Sequence, residues 1–240
     1  MLGKNKPPPA EINVACSGAF KAAYLALVPQ FERASGRKVA TSWGASIGDA
    51  PTSIPSRLAR REPLDLVILS ADSLDRQIAA GRIMAGSRVD LVRSGIGVAV
   101  KAGAPRPDIG SADALVRALL QARSVGYSAS ASGVYLEGLF RRLGITEQLA
   151  PKLKRAQGEP VGQLVARGEV EIGFQQVSEL LPVPGIDYVG PLPPEIQETT
   201  VFSAGIPATA SQPDVARALI EYLKSPAAAA TIRTCGLEPA

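Results

Sequence analysis

The chain has 240 residues, of which 46% are hydrophobic and 20% charged, and this composition is typical of a folded protein with a buried core. The net charge is +4, and the basic residues are mostly scattered along predicted helices. Only 5% of the residues are aromatic, so the sequence lacks the clustered basic and aromatic residues of a nucleic-acid-binding surface. No apolar run approaches the roughly 18 residues of a membrane-spanning helix, so we predict no stable membrane insertion.

Residues 1–10 contain the run Pro7-Pro8-Pro9, which predicts a short extended spacer. They contain no apolar segment typical of a secretory signal peptide, which leaves two alternatives, a cytoplasmic protein or a mature form without its leader. Beyond these residues, apolar runs alternate with amphipathic segments. The predicted strands are 11–15, 38–43, 65–69, 95–101, 124–127, 170–174, 187–189 and 199–204. The predicted helices are 19–35, 55–61, 72–80, 111–122, 133–143, 146–155, 160–167, 214–224 and 226–234. This alternation predicts an α/β fold with a mostly parallel sheet.

Helix starts in this pattern carry recognisable caps. Ser53 and Ser111 each precede a predicted helix, and serine is a preferred N-cap because its hydroxyl accepts a hydrogen bond from a first-turn amide. Gly36, Gly81 and Gly144 follow predicted helices, as expected at a C-terminal stop. The caps therefore support the predicted helix boundaries.

Three turns that follow predicted strands are small, uncharged and rich in hydroxyl groups. They are Ala15–Gly18, Gly44–Gly48 and Ser128–Gly133, and the first and third lead into helices. Backbone N–H groups at a helix start, assisted by serine hydroxyls, bind anions without a cationic side chain. Because ligands of α/β sheets bind at the carboxyl ends of the strands, we expect these turns to form a site for a small oxyanion or carboxylate.

The candidate ligand-binding residues come from these turns and from two later segments. For Ser17, Ser46, Ser130 and Ser132 the alternative is a helix cap or an ordinary polar turn. Tyr135 is equally a candidate for the core. The remaining candidates are Gln175 and Gln176, of which one should face the ligand, and Arg93, which either binds a carboxylate bidentately or lies exposed.

The sequence has no histidine and only two cysteines, Cys16 and Cys235. The absence of histidine removes the commonest general base and the commonest metal ligand. The cysteines form no CxxC motif, so we predict no metal site and no cofactor. Whether they form a disulfide depends on whether the C-terminus folds back onto the first strand, which the sequence leaves open.

The order of these elements resembles the type II periplasmic solute-binding proteins, especially their molybdate-binding branch. The resemblance rests on the helix end Phe31–Val39, the strand segment Pro63–Ala71 and the segment Val89–Val100, and it covers about residues 11–235. It implies an α/β, two-lobed periplasmic-binding-protein type II fold, with mixed, mostly parallel sheets and a two-stranded hinge. Lobe 1 would comprise 10–92 and 200–240, and lobe 2 would comprise 93–199, with hinge crossovers near 90–95 and 195–204.

This resemblance implies a monomeric periplasmic protein that captures a small anion between its lobes for an ABC permease. By position, Ser17 and Ser46 match the first two anion-binding turns, Ser130–Gly133 the third, and the glutamine pair the fourth. The second turn is not the family's Ser-Ser-Gly, and the glutamines replace a tyrosine. A molybdate-type oxyanion and an organic di- or tricarboxylate therefore both stay open as ligands.

A related branch contains an isomerase that acts on aconitate, an unsaturated tricarboxylate. The alternative function is therefore an isomerase that moves a proton along an allylic carboxylate. Such a reaction needs a positioned acid or base. In this chain the candidates are Cys16, Lys21, Asp49 and Tyr135, and none carries a distinctive motif.

Overall fold

A computed structural model describes residues 11–240, and the predicted proline spacer lies outside this range. The strands are β1 (Glu11–Cys16), β2 (Lys38–Trp43), β3 (Leu66–Ser70), β4 (Val89–Lys101), β5 (Val125–Ser128), β6 (Leu153–Ala156), β7 (Ile172–Gln176), β8 (Ile186–Pro191), β9 (Thr199–Gly205) and β10 (Glu238–Pro239). The helices are α1 (Lys21–Ser35), α2 (Ile54–Ala59), α3 (Ala71–Ala79), α4 (Ala112–Gln121), α5 (Ala131–Arg142), α6 (Thr146–Leu149), α7 (Val161–Ala166), α8 (Val177–Leu180), α9 (Pro213–Lys224) and α10 (Pro226–Thr234).

The first group of strands lies side by side in the order β2-β1-β3-β9-β4, with β10 on the other edge of β4. Strand β1 is parallel to β2 and β3, whereas β9 runs antiparallel to β3 and β4. Residues Ile12, Val14 and Cys16 of β1 face one core with α1, α9 and α10, and Ala15 faces a second core with α2 and α3. The period-two alternation of β1 thus supplies both faces of the sheet.

The second group of strands begins with the later half of β4, which pairs with β8 and β7. Strand β5 then lies between β7 and β6 and is parallel to both. A separate core fills this group, with Phe140 of α5 and Phe174 of β7 in an edge-to-face contact at 6.5 Å between ring centroids. The mixed α/β fold predicted from the sequence is confirmed. The predicted excess of parallel pairing is not found, because β4 and β9 run antiparallel to their neighbours: of the strand pairs among residues 11–240, four are parallel and five antiparallel.

Two chain segments connect the groups. The pairing of β4 changes from β9 to β7 between Gly95 and Ile96, and the chain returns to β9 through Gln197. The Gln197 side chain joins the two segments, because its Oε1 accepts the Ile96 N–H and its Nε2 donates to the Ile96 carbonyl, each at 2.9 Å. The division into two lobes at about residues 92 and 200 stays a prediction.

One predicted helix is corrected by the pairing of strands, and two predicted caps are confirmed. The predicted helix 146–155 is wrong in its second half: α6 ends at Leu149, and Leu153–Ala156 forms the edge strand β6. The local sequence of this segment favours a helix, but its backbone hydrogen bonds with β5 favour a strand and decide its conformation. The caps at Ser53 and Ser111 are confirmed, since their Oγ atoms accept the amides three residues on at 3.3 and 3.2 Å. The two cysteines are free thiols.

Candidate functional site

The carboxyl ends of the parallel strands in the two groups meet. The turn after β1 and helix α8, which follows β7, are in contact, and the Ser178 hydroxyl donates to the Ala19 carbonyl at 2.7 Å. Strand β3 ends beside β1, and β5 ends beside β7. We call this region the strand-end site and define it as Ser17, Gly18, Gln175 and Glu179, with Ser70 and Ser130 at the neighbouring strand ends.

Ser17 is the predicted site residue whose side chain is most clearly without a role in the fold. It is 3% exposed, and its backbone N–H donates to the Ile68 carbonyl at 2.9 Å. Its Oγ has no hydrogen-bond partner among residues 11–240. Leaving a buried hydroxyl unpaired costs roughly 1–3 kcal/mol, so this atom is suited to contact a polar ligand.

Ser46 has a structural contact that the sequence did not predict. It is fully buried, and its Oγ accepts the N–H of Ser70 at 3.1 Å, which ties the turn after β2 to the end of β3. Ser70 precedes α3 but its side chain makes no capping hydrogen bond. Ser70 was not among the predicted site residues, although a serine that ends an apolar strand directly before a helix is a recognisable signal.

In the third turn the serines have different roles. The Oγ atoms of Ser128 and Ser132 hydrogen-bond each other at 2.9 Å, and Ser128 Oγ also accepts the Ser130 N–H at 3.3 Å. Ser130 is half-buried, precedes α5 and makes no capping hydrogen bond with its side chain. Of the two serines predicted to bind ligand, Ser130 is therefore the one with a hydroxyl available.

Two predicted site residues lie in other surroundings. The Tyr135 hydroxyl donates to the Ile196 carbonyl at 2.8 Å, and the Arg142 guanidinium lies over its ring at 5.1 Å. Tyr135 thus fixes the segment before β9. Arg93 is exposed on β4, where it is opposite Glu238 of β10.

The two glutamines at the end of β7, Gln175 and Gln176, have different partners. The Gln176 amide has suitable partners for both of its polar atoms in one orientation. Its nitrogen then donates to the carbonyls of Ser94 and Gly95, each at 3.1 Å, and its oxygen accepts from the Thr200 hydroxyl at 3.0 Å. Gln176 therefore joins β4 to β9. Gln175 instead contacts α7, where its Oε1 accepts the Val161 N–H at 2.8 Å. Its side chain also lowers the pKa of the Glu179 carboxyl.

Glu179 is the titratable group of the strand-end site, and sequence analysis missed it. The carboxyl lies so close to Gly18 that a Cβ built there would overlap Glu179 Oε1. Burial raises the pKa of this carboxyl to about 7, and the hydrogen bond from Gln175 opposes the shift. Its sequence signal was a single acidic residue within the apolar segment 177–181, directly after a buried strand.

The acid or base candidates named from the sequence are unsuited or engaged elsewhere. Cys16 is fully buried, and burial raises the pKa of its thiol far above the usual range. Lys21 is exposed, with its ammonium 5.1 Å from the centre of the Trp43 ring, and Asp49 is exposed in the turn after β2. The Tyr135 hydroxyl is engaged by Ile196.

Comparison with known proteins assigns the family. The pattern of the bacterial extracellular solute-binding proteins matches residues 12–238. The chain belongs to this family. The resemblance to type II periplasmic binding proteins is thereby confirmed, and with it the general class of solute-binding protein.

Individual relatives differ in what their names say they bind or convert. A Pseudomonas aconitate isomerase is 44% identical over 233 residues, covering 97% of this chain and 89% of that protein. The molybdate-binding protein ModA of Azotobacter vinelandii is 26% identical over 249 residues, covering 95% and 89%. The structure of the sulfate-binding protein SubI from Mycobacterium tuberculosis H37Rv has a TM-score of 0.78 at 19% identity, covering 96% of this chain and 87% of that one.

No helix within residues 11–240 is both long and apolar enough to cross a membrane.

Proposed function

We propose that this chain is a periplasmic isomerase that binds aconitate at the strand-end site and interconverts its cis and trans forms. The observation that carries the proposal is the 44% identity to an aconitate isomerase over 97% of the chain. The titratable Glu179 carboxyl in the site supports it, because a protein that only captures an anion needs no proton-transferring group beside its ligand.

The site offers neutral donors for the carboxylates of such a substrate. Ser17 has a buried, unpaired hydroxyl, and Ser130 has one that makes no capping bond. At the start of α5, a helix of 12 residues, the N–H groups of Gly133 and Val134 donate to the Ser130 carbonyl, which leaves the amides of Ala131 and Ser132 to favour negative charge. Charge-assisted hydrogen bonds of this kind hold carboxylates without a metal or a salt bridge.

The second candidate is capture of a small anion for uptake through an ABC permease. It is favoured by the family match and by the molybdate-binding relative. The negative charge of an ionised Glu179 would oppose a metal oxyanion and a tricarboxylate alike, so charge does not separate the two candidates. The isomerase is preferred because its substrate exchanges a proton, which gives the Glu179 carboxyl a role that the capture of an oxyanion does not need.

The deciding experiment is an NMR time course with cis-aconitate and trans-aconitate, together with thermal shifts for both and for citrate, molybdate, tungstate and sulfate. We expect conversion of either isomer to the same equilibrium mixture. A ligand at 100 times its Kd adds about 2.7 kcal/mol to stability and raises the Tm by several degrees. Stabilisation by aconitate without conversion would instead favour organic-acid uptake, and stabilisation by the metal oxyanions alone would favour molybdate-type transport.

Ser17→Ala tests the location of the site. Loss of a hydrogen bond to a charged ligand costs about 1.5–3 kcal/mol, so we expect the Kd for trans-aconitate to rise about tenfold or more. The unfolding free energy should stay unchanged or rise, because the lost hydroxyl has no partner in the protein. Calorimetric titration and urea unfolding measure the two quantities.

The matched control is Ser225→Ala, since Ser225 Oγ is also buried without a hydrogen-bond partner but precedes α10. Its removal should leave the Kd unchanged. Equal effects of the two substitutions on affinity would place the ligand elsewhere.

A further inference from the structure

We infer that Glu179 is the catalytic residue that moves the proton during isomerisation, and that Gln175 is the positioning residue that directs its carboxyl toward the ligand. This inference rests on the proposed function. It is carried by the place of the carboxyl between the two strand groups and by the fixed orientation of the Gln175 amide.

The position of Glu179 is set by contacts on both sides. On one side, the hydrogen bond from Ser178 to the Ala19 carbonyl holds α8 against the turn after β1. On the other, Gly18 leaves the space that the carboxyl occupies, because a side chain there would overlap Glu179 Oε1. The carboxyl therefore lies next to Ser17, whose hydroxyl is unpaired. A ligand bound by Ser17 would be within reach of Glu179.

Gln175 orients this carboxyl through the chemistry of its own amide. Its Oε1 accepts the N–H of Val161 at the start of α7, and only the oxygen of an amide can accept such a bond. The NH₂ group therefore faces away from the Val161 N–H, and the Gln175 side chain lowers the pKa of the nearby Glu179 carboxyl. A donor at this place stabilises the ionised carboxylate, which is the form that can accept a proton.

The proposed step conserves atoms and electrons. The Glu179 carboxylate removes a proton from the methylene carbon of aconitate, and the electron pair of that C–H bond delocalises over the allylic system and its carboxylates. The double bond shifts by one carbon. The same carboxyl then returns the proton to the former vinyl carbon, so that no oxidant, reductant or water is consumed. Positioned proton transfer of this kind contributes about 10²–10⁴-fold to a rate.

The pH dependence follows from the surroundings of the carboxyl. The carboxyl lies against Gly18 in the turn after β1. Burial raises its pKa and the Gln175 amide of β7 lowers it, with no charged side chain contributing among residues 11–240. With a pKa of about 7, the carboxylate form is lost as the pH falls through neutrality. We therefore expect kcat/KM to decline below about pH 7.

The test compares Glu179→Gln with Glu147→Gln, an exposed glutamate of α6. We expect E179Q to lower kcat for either isomer by about 10²–10⁴-fold, with trans-aconitate still bound and the Tm still that of a folded protein. E147Q should retain the kcat of the unaltered protein. Gln175→Leu should move the midpoint of the acidic limb of kcat/KM to higher pH, because the donor that favours the carboxylate is gone.

The outcomes separate this inference from the function on which it rests. If the unaltered chain leaves both isomers unconverted, the proposed function fails and Glu179 has no proton to move. If the unaltered chain is active and E179Q keeps more than about a tenth of its kcat, the role of Glu179 is overturned and the function stands. An acidic limb that is unmoved in the Gln175 variant overturns the positioning role alone.

Discussion

Replacing Gly133 by alanine should destabilise the protein by about 3 kcal/mol or more, because the new methyl group has no space. Gly133 lies in the first turn of α5, and a Cβ built on it would overlap the backbone carbonyl oxygen of Ser128 at the end of β5. A backbone atom cannot rotate away as a side chain can. The start of α5 would have to move, and Ser130 and Ser132 would move with it.

Gly138 provides the matched control on the same helix. A Cβ at Gly138 meets only the end of the Arg142 side chain at 3.5 Å, an ordinary contact. Alanine there should stabilise the protein by about 0.5–1 kcal/mol, since glycine is a poor residue in a helix interior. Urea unfolding of both variants measures the difference, and equal effects would contradict the close approach of α5 to β5.

Replacing Asp65 by alanine should lower the unfolding free energy by about 2–4 kcal/mol, because one buried carboxylate that accepts four hydrogen bonds would be lost. Asp65 is 2% exposed. Its Oδ1 accepts from the N–H and hydroxyl of Ser211 and from the N–H of Gln212 at 2.8, 2.9 and 3.0 Å. Its Oδ2 accepts the Asn13 N–H at 2.9 Å. One side chain thereby joins β1 to the residues that precede α9.

Asp65→Asn separates these contacts, since an amide has one accepting oxygen and would turn its NH₂ toward one set of donors. We expect it to cost less than alanine but still more than 1 kcal/mol. Asp214→Ala is the control: its side chain is 99% exposed in the first turn of α9, so its removal should cost only a few tenths of a kcal/mol. A loss below 1 kcal/mol for Asp65→Ala would contradict the buried network.

How far the site was predictable depends on the kind of information each residue carries. Ser17 could be selected as a candidate because a hydroxyl after an apolar strand is a local pattern, and its role in binding stays a prediction. The role of Gln176 was not found, because its partners on β4 and β9 are distant in the sequence. Glu179 was missed because its significance comes from burial between two chain segments 160 residues apart, which no local pattern encodes.

The sequence by itself determined the alternation of strands and helices, the caps at Ser53 and Ser111 and the family, because periodicity, capping residues and the order of turns are properties of short segments. Only the tertiary structure decided that 153–156 is a strand, that Ser46 supports Ser70, and which glutamine contacts Glu179. These features depend on pairing, burial and hydrogen bonds between segments far apart in the chain, and such contacts override local preference.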